Sequence, residues 1–494
     1  MTNDNGIAAT PRKGGRIRLG LNGASASDSL DPGQLTDTFP AEVSFGQTRN
    51  CLVELNTKHE AVGELAENWE SSSAADVWHF KLRKGIEFHN GKSLTSDDVV
   101  YTIQQHLGED SKSAVSGIVK PVKSVKADGP NAVVFELEAG NADFPYILSD
   151  YHLSIVPVGT TGEEYEKSIG TGGYILKEWE PGVRAFSVRN PNYWKEGRAH
   201  FDEVETLAMN DVGARTDALK AGTIDVMDHV NLETVDLLEK IPSINVIKTT
   251  GLRHYAMSMR TDQAPFDDNH VRLALKHALD RDAILETVQR GHGVIGNDTP
   301  IGPGHRYFAK EIPQRKYDPD KAKWHLGRAG LSRMKVDLTT AGVAFGGAVE
   351  AAFLYKEHAA SAGIDINVVQ VPDDGYWSKV WMKNAWRMSY WSGHVTADWI
   401  LSAVYAAGSA WNETFWNHER FNKLLVAARS EQNDDRRHEM YVELQKILHD
   451  EGGAVIPLFA SHLAATRDNV ATPDELIPAW GMDGAKATER WWFS

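Results

Sequence analysis

The sequence predicts an α/β protein built on more than one hydrophobic core. Three observations predict it. The chain has 494 residues, which at roughly 150 residues per domain is room for about three. Runs alternating apolar and polar residues at period 2 are interspersed with runs spaced i, i+3, i+4. One segment, 336–371, reads as strand–helix–strand, the unit that lays two strands parallel in a sheet.

Residues 1–13 read as a flexible leader with little to bury. The first strand is expected from Gly15, where Ile17, Leu19 and Leu21 alternate with Arg16, Arg18 and Gly20, and the cluster from Asp28 to Gly33 turns the chain. After Cys51, Trp78, Phe80 and Leu82 share one face of a strand. Ile86 and Phe88 alternate between the turn signals Lys84-Gly85 and Asn90-Gly91, which reads as a meander of short antiparallel strands. Thr95 to Asp98 is a capping-box pattern opening a helix with Val99, Val100, Ile103 and Leu107 on its apolar face. Val133, Phe135 and Leu137 mark another strand.

Longer helices follow. One starts at Pro265 to Asp268, with Val271, Ala274, Leu275, Ala278 and Leu279 on one face. A second runs from Asp318-Pro319 to a stop at Gly330. The predicted strand–helix–strand is 336–340, 348–362 and 364–371, and Met440 to Leu448 marks the last strong helix before a strand at 455–459.

Composition excludes several classes. The 52 Lys+Arg against 68 Asp+Glu give a net charge of −16, whereas a nucleic-acid partner calls for a basic stripe. No run approaches the roughly 18–20 apolar residues of a membrane span. Cys51 is the only cysteine, so an internal disulfide and a multi-cysteine metal site are out. Residues 2–16 lack a secretory pattern, so the chain is either cytoplasmic or a mature form whose signal has been removed. The 15 Trp and 19 His permit an aromatic-lined ligand cleft.

No catalytic or cofactor motif survives its context. Gly291 to Gly296 spells G-x-G-x-x-G, but a dinucleotide site needs a strand before it and a helix after it. Gly85 to Ser93 resembles a phosphate loop with one residue too many between its glycines. His-Glu-x-x-His and Gly-x-Ser-x-Gly are absent. Asp97-Asp98 and Asp373-Asp374 stand at expected helix starts, where the dipole stabilises them. The expectation is no enzyme, no cofactor and no metal held by the chain.

An ordered set of segments does carry a resemblance. Phe80 to Tyr101, FKLRKGIEFHNGKSLTSDDVVY, and Gly170 to Trp194, GTGGYILKEWEPGVRAFSVRNPNYW, resemble the signature of the family 5 extracellular solute-binding proteins of peptide, nickel and opine ABC importers. Ala218 to Asp225, Pro265 to Ala283 and Tyr317 to Gly330 are further similar pieces in the family order. The resemblance implies a type II periplasmic-binding-protein fold of two lobes with a hinge. Lobe I would comprise 14–50, 166–258 and 462–494, with 51–165 as an inserted α+β subdomain, and lobe II would be 259–461. Ligand would be captured between the lobes by hinge closure, and a monomeric protein in the periplasm, its signal trimmed, would deliver it to a membrane permease. A chemosensory or chaperone partner on the same fold is the alternative class, with an enzyme on this scaffold a third.

The resemblance also points to site residues. In peptide-binding relatives a lobe II strand ends in Trp-x-x-Asp, whose Asp holds the ligand's α-ammonium. The matching segment here is Tyr390-Trp391-Ser392-Gly393-His394, with His394 where the Asp is expected. Neutral His accepts a hydrogen bond, but protonated His repels an ammonium. Asp398 either substitutes for the missing Asp or caps the helix from Trp399 to Tyr405. The expected ligand therefore offers an anionic or polar group rather than a free amino terminus: an opine, a sugar-phosphate conjugate, an aminopolycarboxylate or a metal chelate. The alternative is a di- or oligopeptide whose ammonium is met elsewhere, by Asp150 or Asp37. Other contacts implied by family position are Thr36, Thr38, Phe39, Tyr151, His152, Arg253, His254, Tyr255, Trp411 and Asn412. Arg253 has the geometry for bidentate pairing with a carboxylate or phosphate.

Overall fold

The computed structural model describes residues 11–108, 111–393 and 395–494. The chain divides into two compact units, one of residues 1–249 with 462–494 and the other of residues 250–461. Both divisions fall inside strands, Ile244–Met259 and Leu458–Arg467.

The first unit holds a mixed sheet. Its first strand, Arg16–Leu21, runs parallel to Glu203–Ala208 on one side and Val226–Met227 on the other. Arg184–Arg189 and Tyr174–Glu180 continue the sheet antiparallel, and Thr466 and Ala465 pair with Val226 and Met227. The expected alternation is present: Ile17, Leu19 and Leu21 are buried with Phe39, Tyr174, Phe201 and Trp491.

A second, four-stranded antiparallel sheet in this unit orders Ala66–Ser71, Val77–Leu82, Ala132–Leu137 and Val122–Ala127. Trp78, Phe80 and Leu82 face its core, as do Val133, Phe135 and Leu137. Helix Ser96–His106 packs there through Val99 and Ile103, and Thr95 and Asp98 form the expected capping box. The wholly buried Asp98 carboxylate also pairs with Lys92 and accepts from the Val158 N–H at 2.9 Å. Ile86 and Phe88 are buried, but the segment between the turns is no strand pair: a single bridge, Glu87 with Ser93, closes it. It is too short to carry a ladder.

The second unit contains the predicted strand–helix–strand. Met334–Thr340 and Ile364–Gln370 pair in parallel register, with helix Ala348–Ala360 between them. Trp386–Trp391 lies parallel to the first of these and antiparallel to 254–259. Helices Asn269–His277, Arg281–Thr287 and Pro319–Arg328 cover one core. Helices Ala397–Val404, Glu419–Ser430 and Asp434–Glu451 build another around Leu401, Phe421, Tyr441 and Leu444. Gly293–Ile295 is a strand paired to 458–460, with no helix opening after it, so the glycine motif is a sheet edge. Asp373 caps no long helix; its carboxylate accepts from the Val343 N–H at 2.9 Å and ties two loops together.

Candidate functional site

Strand Trp386–Trp391 positions the centre of the candidate site. Its first four residues are buried, while Tyr390 is 40% exposed and Trp391 half-buried. Because side chains alternate along a strand, Tyr390 and Trp391 leave the sheet on opposite faces. Aromatic rings continue from each. Trp377 meets Tyr390 at 5.7 Å between centroids and Trp381 at 6.1 Å. Trp381 meets Trp391 at 6.2 Å, and Trp391, Trp399 and Trp411 form a triangle of 6.0–6.5 Å sides. Six rings therefore wrap the strand end in edge and tilted contacts of the kind aromatic quadrupoles favour. Trp377, Tyr390 and Trp411 keep over a third of their surface exposed, which leaves an apolar wall open to a ligand.

A wholly buried carboxylate, Glu413, holds this wall in place. Its Oε1 accepts from Ser258 Oγ at 2.8 Å, Ser389 Oγ at 3.0 Å and the Trp391 indole N–H at 3.1 Å. Its Oε2 accepts the Trp381 indole N–H at 2.6 Å. The Arg387 guanidinium, also wholly buried, lies 3.8 Å from Oε2 and donates to the Ser258 and Glu413 carbonyls. A buried carboxylate so supplied is satisfied and stiff. Sequence reasoning overlooks Glu413, since a single acid between Asn412 and Thr414 carries no spacing signal. It overlooks Trp377, Trp381 and Trp399 too, for which only the tryptophan surplus was a hint.

The remaining second-unit candidates divide by environment. His394 lies outside the described residues. Asp398 is committed to Arg429, at 3.0 Å, and to Ser402 Oγ at 3.1 Å. It does not cap its helix; Thr396 does, accepting from the Trp399 N–H. Asn412 is buried and donates to the Ala406 and Trp416 carbonyls. His254 pairs across the sheet with Trp391 and Tyr255 with Tyr390. His254 is buried, donates to the Leu252 carbonyl, and is held neutral because burial pulls its pKa down to about 4. Tyr255 stacks on Phe345 at 4.0 Å. Arg253 is half-buried and donates to the Ser461 carbonyl at 3.3 Å, with no carboxylate partner among the described residues.

The first unit gathers a smaller group. His152 Nδ1 is 2.7 Å from Asp150 Oδ1, and Nε2 is 2.9 Å from the Leu35 carbonyl. Both ring nitrogens face acceptors, so the imidazolium is favoured. Burial pulls its pKa down, but the Asp150 hydrogen bond and charge outweigh that and raise it. Tyr151 stacks on His152 at 4.0 Å and meets the Trp480 ring edge-on at 5.3 Å. Thr36 and Asp37 are exposed and Thr38 is half-buried; Asp37 caps the short helix Thr38–Val43. Phe39 is wholly buried, stacked 5.6 Å from Trp179, so its ring belongs to the core.

Comparison with known proteins places this architecture. Residues 60–412 match the family model of bacterial extracellular solute-binding proteins, family 5 Middle. Heme-binding protein A of Haemophilus influenzae is 27% identical, over 87% of this chain and 84% of its own. The dipeptide-binding protein of Escherichia coli K12 is 26% identical, over 87% and 86%. The solved structure of HbpA2 from Haemophilus parasuis superposes with a TM-score of 0.83 at 23% identity, over 94% of this chain and 99% of that one. The fold is the type II periplasmic-binding-protein fold that the sequence led us to expect. The signature segments, the mixed α/β architecture and the family match agree: the chain belongs to the family 5 bacterial extracellular solute-binding proteins.

Proposed function

We propose that this protein is the solute-capturing component of an ABC importer, working outside the cytoplasmic membrane. In this reading its solute carries an anionic group met by Arg253 and an apolar body laid on the part of the wall around Tyr390 and Trp377. The observation that supports the reading is the guanidinium of Arg253, which donates to the Ser461 carbonyl and has no carboxylate partner among the described residues. Arg253 lies two residues before Tyr255, the cross-strand partner of Tyr390, and so shares its face of the strand. The nearby carboxylates are already engaged, Glu413 by two indoles and two serines and Asp398 by Arg429. A half-buried cation beside an aromatic surface suits a carboxylate or phosphate on a partly apolar solute. Opines, sugar-phosphate conjugates, aminopolycarboxylates and metal chelates share that chemistry.

A second reading, capture of a dipeptide, has its own support. The Escherichia coli relative is named for dipeptide binding, and Asp37 in the first unit is an exposed carboxylate available to an ammonium. Isothermal titration against a dipeptide mixture and an anionic panel distinguishes the two. We expect an anionic solute to bind and Arg253→Gln to weaken it roughly 10- to 100-fold, the worth of one charge-assisted hydrogen-bond pair. Tight dipeptide binding that survives Arg253→Gln and disappears in Asp37→Asn would overturn the first reading in favour of the second.

A further inference from the structure

Two histidines of the second unit face each other nitrogen to nitrogen. His270 lies in the first turn of helix Asn269–His277 and His325 in the last turn of Pro319–Arg328. Their Nδ1 atoms are 3.0 Å apart. In the neutral pair one Nδ1–H donates to the other's lone pair. If that imidazole carries its proton on Nε2 instead, both Nδ1 atoms present lone pairs 3.0 Å apart and both rings remain neutral.

We propose that His270 and His325 chelate a divalent late transition-metal ion, copper(II) or nickel(II), through their Nδ1 atoms. Metal–imidazole bonds are about 2.0–2.1 Å long. Two nitrogens 3.0 Å apart then subtend about 95° at the metal, the cis edge of a square plane or octahedron. A tetrahedral zinc ion asks for about 3.4 Å at the same bond length and fits less well.

The ligands are partly preorganised. The His325 ring stacks on His277 at 5.7 Å, nearly parallel, and meets the Trp324 ring at 4.7 Å. His277 is fixed in turn, its Nε2 accepting from Arg315 at 3.0 Å. His270 is half-buried, so solvent reaches the pair from its side. Among the described residues there is no group of three or more His, Cys, Asp or Glu that could hold a metal, so water completes the coordination. The charges of Arg315 and Lys321 near His325 oppose a cation and keep the affinity modest. The site is separate from the aromatic wall: its helices pack through Val271, Ala274, Ala322 and Leu326 into one core, while Trp391 and Trp399 pack on the other.

The test is titration of the full chain with copper(II) chloride and nickel(II) chloride, followed by calorimetry, tryptophan emission and electron paramagnetic resonance of the copper form. We expect one copper ion whose affinity falls at least about tenfold in His270→Asn and whose spectrum carries two coordinated imidazoles. Trp324→Phe, which keeps an aromatic ring against His325, should remove the quenched fraction of the emission. Because His325 is buried, His325→Gln is secondary; His270→Asn, at a half-exposed position, keeps the fold and decides the matter. Absence of copper binding, or equal affinity and identical spectra in wild type and His270→Asn, would overturn the proposal.

Discussion

The indole N–H of Trp391 donates to Glu413 at 3.1 Å, and Glu413 is wholly buried. That one carboxylate also receives the Trp381 indole on its other oxygen at 2.6 Å, so two rings of the wall are set by one acid. Glu413→Gln puts an amide N–H₂ against one of the donors it used to satisfy. It also removes the buried Arg387's largest counter-charge. Breaking a buried ion pair from one side costs about 3–5 kcal/mol. Urea unfolding followed by tryptophan emission should show that loss, together with a shifted native spectrum as Trp381 and Trp391 lose their anchor. Wild-type stability with an unchanged spectrum would remove Glu413 from this role.

What the sequence disclosed is local, and what it hid is long-range. The Thr95–Asp98 capping box and the Asp318 cap are spaced by backbone geometry alone, so three or four letters suffice to see them. The parallel pair 334–340 and 364–370 follows from a helix of the right length between two apolar runs. Glu413 gives no such sign, because Ser258 is 155 residues away and Ser389 is 24. Asp398 was legible as an acid at a helix start but not as the partner of Arg429, 31 residues on. Phe39 follows the first strand as a contact residue would, but its burial against Trp179 depends on a strand 135 positions later in the chain, which no local pattern announces.

Glu42 makes the first unit sensitive to alkali. The side chain is wholly buried, and burial pushes its carboxyl up to about 8, with Lys486 only partly opposing. The folded protein therefore keeps this proton while the unfolded chain releases it above about pH 4.5. Stability falls as pH rises through the window from about 4.5 to 8, by up to roughly 5 kcal/mol, and falls no further from this group above it. Glu42→Gln mimics the neutral acid. The stability difference between variant and wild type should grow in the variant's favour across that window. A difference flat with pH would mean that Glu42 is ionised in the fold.

Lys276 acts with the opposite sign in the second unit. It is wholly buried and donates to the Leu448 and His449 carbonyls at the end of helix Asp434–Glu451. Burial lowers its pKa to about 7, with the Asp298 charge opposing and the Arg315 charge assisting. Between about pH 7 and 10.5 the unfolded chain holds a proton that the folded one has lost. The cost of burying the ammonium is thus present below pH 7 and is relieved as pH rises through that range. Lys276→Met should gain on wild type at pH 6 relative to pH 9. Guanidinium unfolding at the two pH values measures it, and a variant effect of equal size at both would contradict the assignment.

Lys195 anchors the C-terminal segment to the rest of the first unit. Its Nζ lies 2.7 Å from Glu54, 2.7 Å from Glu64 and 3.1 Å from Glu489, the last two all but removed from water. Lys486 reaches Glu64 and Glu489 at 3.4 and 3.6 Å, and Arg198 reaches Glu489 at 3.8 Å. Three anions thus face three cations. Burial alone would push the Glu489 carboxyl up, but the charges of Lys195, Lys486 and Arg198 hold it below the usual range. Lys195→Met leaves three carboxylates against two cations, at a cost of about 3–5 kcal/mol. Adding Glu489→Gln restores two against two and should recover part of that loss. A double-mutant cycle reads the recovery as a coupling energy of roughly 0.5–3 kcal/mol. Strict additivity of the two substitutions would show that these charges are screened from one another, and that packing rather than the ion cluster holds residues 486–490 in place.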